Sequence, residues 1–68
     1  MRVRILQLGR QVIEYRGHVG ETVATALTAV ALEVGPGVDI RVNGIAADGA
    51  TTLRDGDVVT LIPRIKGG

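Results

Sequence analysis

Apolar and polar residues alternate through residues 2–8, Arg-Val-Arg-Ile-Leu-Gln-Leu, with Val3 and Ile5 on one face and Arg2 and Arg4 on the other. That period of two predicts a β-strand. Leu6 and Leu8 continue the arginine face and put an apolar break in it. Gly9-Arg10 then offers a short two-residue turn, since Gly takes the positive φ such a turn requires. Residues 11–16 return as a second strand, with Ile13 and Tyr15 on one face and Val12, Glu14 and Arg16 on the other. From Thr22 the period lengthens to about 3.6, with Val23, Leu27, Val30, Ala31 and Val34 on one stripe. This predicts an amphipathic helix capped by Thr22 and stopped by Gly35-Pro36-Gly37, Gly35 serving as the left-handed cap. Val38, Ile40 and Val42 alternate with Asp39 and Arg41 into a third strand that ends at an Asn43-Gly44 turn. Residues 45–52 are irregular, with a short edge strand near Ile45. Leu53 packs ahead of a tight turn, Arg54-Asp-Gly-Asp57. The near-continuous apolar run Val58-Val-Thr-Leu-Ile62 predicts a strand with neighbours on both sides.

A hairpin, a helix, then strands of which the last is central is solved by laying one helix across one face of a mixed sheet. If the last strand lies beside the first, the two run parallel, with the helix and loops as the crossover. The expected fold is therefore α+β, a β-grasp with four to five strands, formed by residues 1–63 with a flexible tail at 64–68.

The chain has 68 residues and no cysteine, so a disulfide, a thiolate zinc site and a thiol nucleophile are excluded. At this length roughly 60% of the unfolded surface is buried, and packing alone must hold the fold. Tyr15 is the sole aromatic, which argues against base stacking, and the formal net charge of +1 gives no electrostatic case for nucleic acid or an anionic membrane. No apolar run reaches the roughly 18 residues of a membrane span, and Met1-Arg-Val-Arg lacks the apolar region of a signal peptide. A cytoplasmic protein, monomeric when free, is the expectation.

His18, the sole histidine, has no acid or cysteine beside it in sequence and reads as solvated polar surface. Asp55-Gly56-Asp57 has too few oxygen ligands for a calcium loop and reads as turn chemistry. No metal site is expected. What stands out is the end: past Pro63 the chain offers few apolar side chains and stops at Gly67-Gly68, whose lack of Cβ makes ordering costly. The atom of chemical interest there is the terminal carboxyl carbon.

Val42-Asn-Gly44, Leu53-Arg-Asp-Gly-Asp57 and an apolar strand leading to Gly67-Gly68 resemble, in order and spacing, the ThiS/MoaD-like small sulfur carrier proteins of thiamine and molybdopterin synthesis, prokaryotic relatives of ubiquitin. The resemblance implies a cosubstrate that is not itself an enzyme. It binds no cofactor; an E1-like adenylating enzyme uses ATP to adenylate the Gly68 carboxylate, and a persulfide sulfur donor converts it to a thiocarboxylate. Glycine at positions 67 and 68 would let the tail thread a narrow active site, and residues 64–68 would reach on the order of 15 Å.

With one helix in the domain, the second sheet face is uncovered. Leu6, Leu8, Val12, Val58 and Ile62, ringed by Arg2, Arg4, Arg41 and Arg64, are expected to dock the adenylating enzyme and the sulfur-accepting synthase. Arg64, Ile65 and Lys66 would extend that contact along the tail. A homodimer or a loop could cover the same face. Two other function classes stand beside the carrier: a ubiquitin-like modifier joined through Gly68 to target lysines, and an interaction module with no chemistry at its end. The length is closer to the thiamine type, and Leu61-Ile-Pro63 to the molybdopterin type.

Overall fold

The computed structural model describes residues 1–64. Its elements are β1 (Arg2–Gln7), β2 (Gln11–Arg16), α1 (Val23–Ala29), β3 (Val38–Val42), β4 (Ile45–Ala47) and β5 (Val58–Pro63). The strands form one sheet in the order β2-β1-β5-β3-β4, with β1 and β5 parallel and the other pairs antiparallel. This is a β-grasp. Val3, Ile5, Val59 and Leu61 point to one face and form the buried core with Val23, Ala26 and Leu27 of α1 and with Leu53. Ile13, Tyr15, Val38, Ile40 and Val42 pack around that core, as the alternation predicts.

The turns follow from local chemistry. Asn43 and Gly44 both take positive φ (52° and 81°), the type I′ geometry that matches strand twist, and Val42 pairs directly with Ile45 across them. The Asp55-Gly56-Asp57 carboxylates bind backbone and side-chain donors: Arg2 N–H donates to Asp55 Oδ1 (2.7 Å), Arg54 N–H to Asp57 Oδ2 (2.8 Å) and Asn43 Nδ2 to Asp57 Oδ1 (2.9 Å). Asp57 thus ties the β3–β4 hairpin to the start of β5. Where β2 leads into the helix, the α1 amides of Val23 and Ala24 donate to the carbonyls of Thr51 and Gly49 (2.9 and 3.0 Å), so the 48–53 segment satisfies donors the helix start would leave unpaired. A Cβ at Gly49 would lie 3.2 Å from Ala24 Cβ, so that approach favours glycine.

The structure corrects three expectations. The first hairpin loop spans Leu8, Gly9 and Arg10 rather than two residues; Gly9 has φ +78° and Arg10 N–H turns back to Gln7 O (2.9 Å), so Leu8 leaves the strand. The helix begins as expected, with Thr22 Oγ1 accepting from Thr25 N–H (3.3 Å), but it ends at Ala29 and does not run to Gly35. Ala31, at φ +58°, takes the left-handed position assigned to Gly35, with Ala31 N–H bonded to Thr28 O and Leu32 N–H to Leu27 O (3.0 and 2.9 Å). That bond pair is a Schellman stop. Consequently Ala31 is exposed, and Val30, Leu32 and Val34 reach the core by alternation along an irregular segment.

A Cβ in the left-handed region is strained, whereas Gly is not. Ala31→Gly is expected to stabilise the fold by about 0.5 kcal/mol, after the entropy glycine adds to the unfolded chain, raising Tm by about 2–4 °C. Thermal melts of the two proteins check this, and an unchanged or lower Tm would count against the strain.

Candidate functional site

α1 covers one face of the sheet. The other carries the even-numbered residues of β1, β2 and β5 and the odd-numbered residues of β3. The pairing sets them in rows. Val12, Leu6, Thr60, Arg41 and Ala46 cross the middle of the sheet; Glu14, Arg4 and Val58 form the row toward the Asp55 turn; Ile62 faces Asp39 toward the chain end. Leu6, Val58 and Ile62 are half-buried, and Val12 is exposed. Four of the five docking residues expected from sequence therefore share this face, but as an interrupted surface, with Thr60 between Val58 and Ile62.

Leu8 departs from the expected row. Its N–H still donates to Leu61 O (3.1 Å), but it sits in the turn at the end of the sheet, lining a concavity with Val34, Val38, Leu61 and Pro63. Two large apolar residues are exposed without having been expected to be, Val19 and Ile45, at 93% and 72%. Neither belongs to the open face: Val19 lies in the loop before α1 and Ile45 pairs with inward-facing Val42.

The charges on this face are lopsided. Arg2, Arg4, Arg16, Arg41 and Arg64 project from it, answered among the described residues by Glu14 and Asp39, with Asp57 lining the concavity that Arg2, Arg4, Arg16 and Val58 form. Arg4 Nη2 pairs with Glu14 Oε1 at 3.3 Å. Arg2 and Arg16 stand directly opposite each other across the β1–β2 ladder, a like-charge pair that costs stability.

At the end of β5 the ladder does not stop at Pro63. Arg64 N–H donates to Gly37 O (2.7 Å), and its guanidinium places Nε (2.8 Å) and Nη2 (2.5 Å) on Asp39 Oδ1. That hydrogen bond, with the guanidinium charge behind it, holds the Asp39 carboxyl below its ordinary range and raises Arg64 in return. Arg64, expected to open the flexible tail, is thus attached to β3. The expected tail contacts at Ile65 and Lys66, and Gly67 and Gly68, expected to be the reactive end, lie outside the described residues.

A second polar cluster lies away from this face. Tyr15 Oη donates to Glu21 Oε2 (2.7 Å) and His18 N–H to Glu21 Oε1 (2.6 Å), bracing the loop into α1. The Tyr15 hydroxyl and the His18 amide pull the Glu21 carboxyl below its ordinary range, and Tyr15 is raised by the same bond. His18 contributes its backbone to this brace. Among the described residues no helix is long and apolar enough to cross a membrane.

The model of the ThiS family matches residues 6–68. No curated protein matches the chain in sequence. Among solved structures, SAMP1 from Haloferax volcanii superposes with a TM-score of 0.85 at 18% identity, over 100% of both chains. The ubiquitin of Caldiarchaeum subterraneum gives 0.69 at 26% identity, over 100% of this chain and 98% of its own. In a complex of subunits 1 and 2 of the molybdopterin-converting factor from Helicobacter pylori, one chain gives 0.71 at 24% identity, over 100% of both.

Proposed function

The chain belongs to the ThiS family, and from that membership we propose that it is a sulfur carrier for cofactor biosynthesis, of the thiamine type first and the molybdopterin type next. The observation that carries the reading is the family match, which runs through to Gly67-Gly68. The second sheet face, left uncovered among the described residues, supports it. A carboxylate is a poor electrophile. The Gly68 carboxylate attacks the α-phosphorus of ATP on an adenylating enzyme, pyrophosphate leaves, and the mixed anhydride carries AMP as a good leaving group. The terminal sulfur of a persulfide donor displaces AMP, and a second thiol cleaves the acyl disulfide to leave –COS⁻ on the carrier. The sulfur nucleophile is then delivered on a protein handle to an accepting synthase.

Docking is assigned to Leu6, Val12, Val58 and Ile62 with the arginines around them. Their mixture of apolar and cationic groups fits a partner surface with apolar anchors and acidic rims. In the Helicobacter pylori structure, a chain of the same fold is in complex with a partner subunit, which supports a synthase-type partner here.

The test is intact-mass spectrometry after incubation with ATP, the adenylating enzyme and a persulfide donor. A gain of about 16 Da marks exchange of one oxygen for sulfur. A second reading, a ubiquitin-like modifier, is favoured by the likeness to the Caldiarchaeum subterraneum ubiquitin. It predicts Gly-Gly remnants on lysines of other proteins and an unchanged mass for the unconjugated chain. Lys66 is the sole lysine, so linkage of copies through lysines of the folded domain is not available in either case.

A further inference from the structure

Asp39 occupies the β3 position opposite Ile62, on the open face. Arg64 lies two residues beyond Ile62, so Asp39 is its diagonal cross-strand neighbour, within reach of a long side chain. Both guanidinium contacts converge on Asp39 Oδ1, while the Arg64 amide is bonded to Gly37 just ahead of the same strand. One residue is thereby anchored to β3 through its backbone and its side chain together. Arg41, on the same face two residues from Asp39, adds a second positive charge that keeps the carboxylate ionised.

An exposed ion pair of this kind adds little to stability. Its effect is geometric, because it fixes the last residue before the four that lead to Gly68. Arg64 is thus the point from which the chain sets out toward the carboxyl group, and misplacing a reacting atom by about 1 Å can cost up to about a hundredfold in rate.

We infer that Asp39 is a positioning residue: by clamping Arg64 to β3 it sets the direction in which the chain leaves the sheet, and hence the presentation of the Gly68 carboxylate to an adenylating enzyme. This rests on the carrier reading above. It also assigns Arg64 a different role from direct recognition, since a guanidinium held by Asp39 acts through its anchor.

The experiment is ATP–pyrophosphate exchange catalysed by the adenylating enzyme, with Asp39→Ala, Arg64→Ala and the double variant, beside amide hydrogen exchange on the isolated proteins. Asp39→Ala is expected to lower kcat by about tenfold with KM and Tm nearly unchanged. Arg64→Ala should match it, and the double variant should be no worse than either, because residues acting as a unit are not additive. Asp39→Asn keeps an acceptor for the guanidinium and should recover most of the loss. In the isolated Asp39→Ala protein the Arg64 amide should exchange faster, with Ile5 and Val59 unaffected. Unchanged or higher turnover in Asp39→Ala, alongside a loss in Arg64→Ala, would mean that Arg64 is read directly and would overturn the inference. So would an unaltered Arg64 amide. Absence of exchange with the wild-type chain would overturn the carrier reading and the effect on turnover with it, while the amide measurement would still decide whether the clamp exists.

Discussion

A chain carrying one additional alanine after Gly68 is expected to form no thiocarboxylate and to support no pyrophosphate exchange, while still binding the adenylating enzyme. The extension turns the Gly68 carboxylate into a peptide carbonyl and moves the free carboxylate onto the added residue, about 3.5 Å beyond the place from which Gly68 would attack ATP. It also adds a Cβ to a segment that glycine leaves bare. The residues proposed to dock on β1, β2 and β5 are untouched, so affinity for the enzyme should stay within about twofold, by the usual insensitivity of binding to changes outside the contact. Intact-mass spectrometry and a binding titration on the same preparation check both halves. Thiocarboxylate formation at the wild-type level on the extended chain would overturn the assignment of Gly68 as the reacting residue.

Replacing Leu6 by Asp is expected to weaken binding to the adenylating enzyme by about thirtyfold, equivalent to about 2 kcal/mol, the scale of a truncated interface anchor. Leu6 sits between Val12 and Thr60 in the middle row of the open face and is half-buried without a helix above it. Its replacement should therefore cost the fold little more than strand propensity, roughly 1 kcal/mol at most. Ile62→Thr is the companion variant. Threonine keeps the β-branched shape, whereas Asp at that position would face Asp39 directly and destabilise the ladder by like charge. Leu8→Asp should have the smaller effect, since Leu8 lies in the turn at the end of the sheet. Equal affinities for Leu6→Asp and wild type, with an unaltered Tm, would remove this face from the docking surface.

The strands, their faces and the centrality of β5 were legible because each side-chain alternation has one buried face, which pins register. Asn43-Gly44 and Asp55-Gly56-Asp57 were legible because their backbone conformations follow from residue type. The end of α1 was not. Val30, Ala31 and Val34 satisfy a helical stripe as well as Val30, Leu32 and Val34 satisfy an alternating one, and the stop falls on Ala31, a residue that does not advertise a left-handed conformation. Leu8 was misplaced for a related reason: a turn one residue longer removes its side chain from the strand's parity. The Asp39–Arg64 clamp joins residues 25 apart in sequence, and neither is unusual in its own neighbourhood. Only the β3–β5 register reveals it, whereas the open face follows from having one helix for two sheet faces.

The strand order β2-β1-β5-β3-β4 has a consequence for how the protein is made. β1 and β5 are neighbours, yet almost the whole domain separates them in sequence, so the sheet has no centre until residue 63 is available. A nascent chain that has released the hairpin, α1 and β3 still lacks Val59 and Leu61, two of its buried residues, and pairings this distant are slow to form. Translation therefore delivers the core and the segment bearing Gly68 together. A chain that stalls or is cut before β5 lacks Val59 and Leu61 and leaves an open apolar layer, the kind of surface that is prone to aggregate.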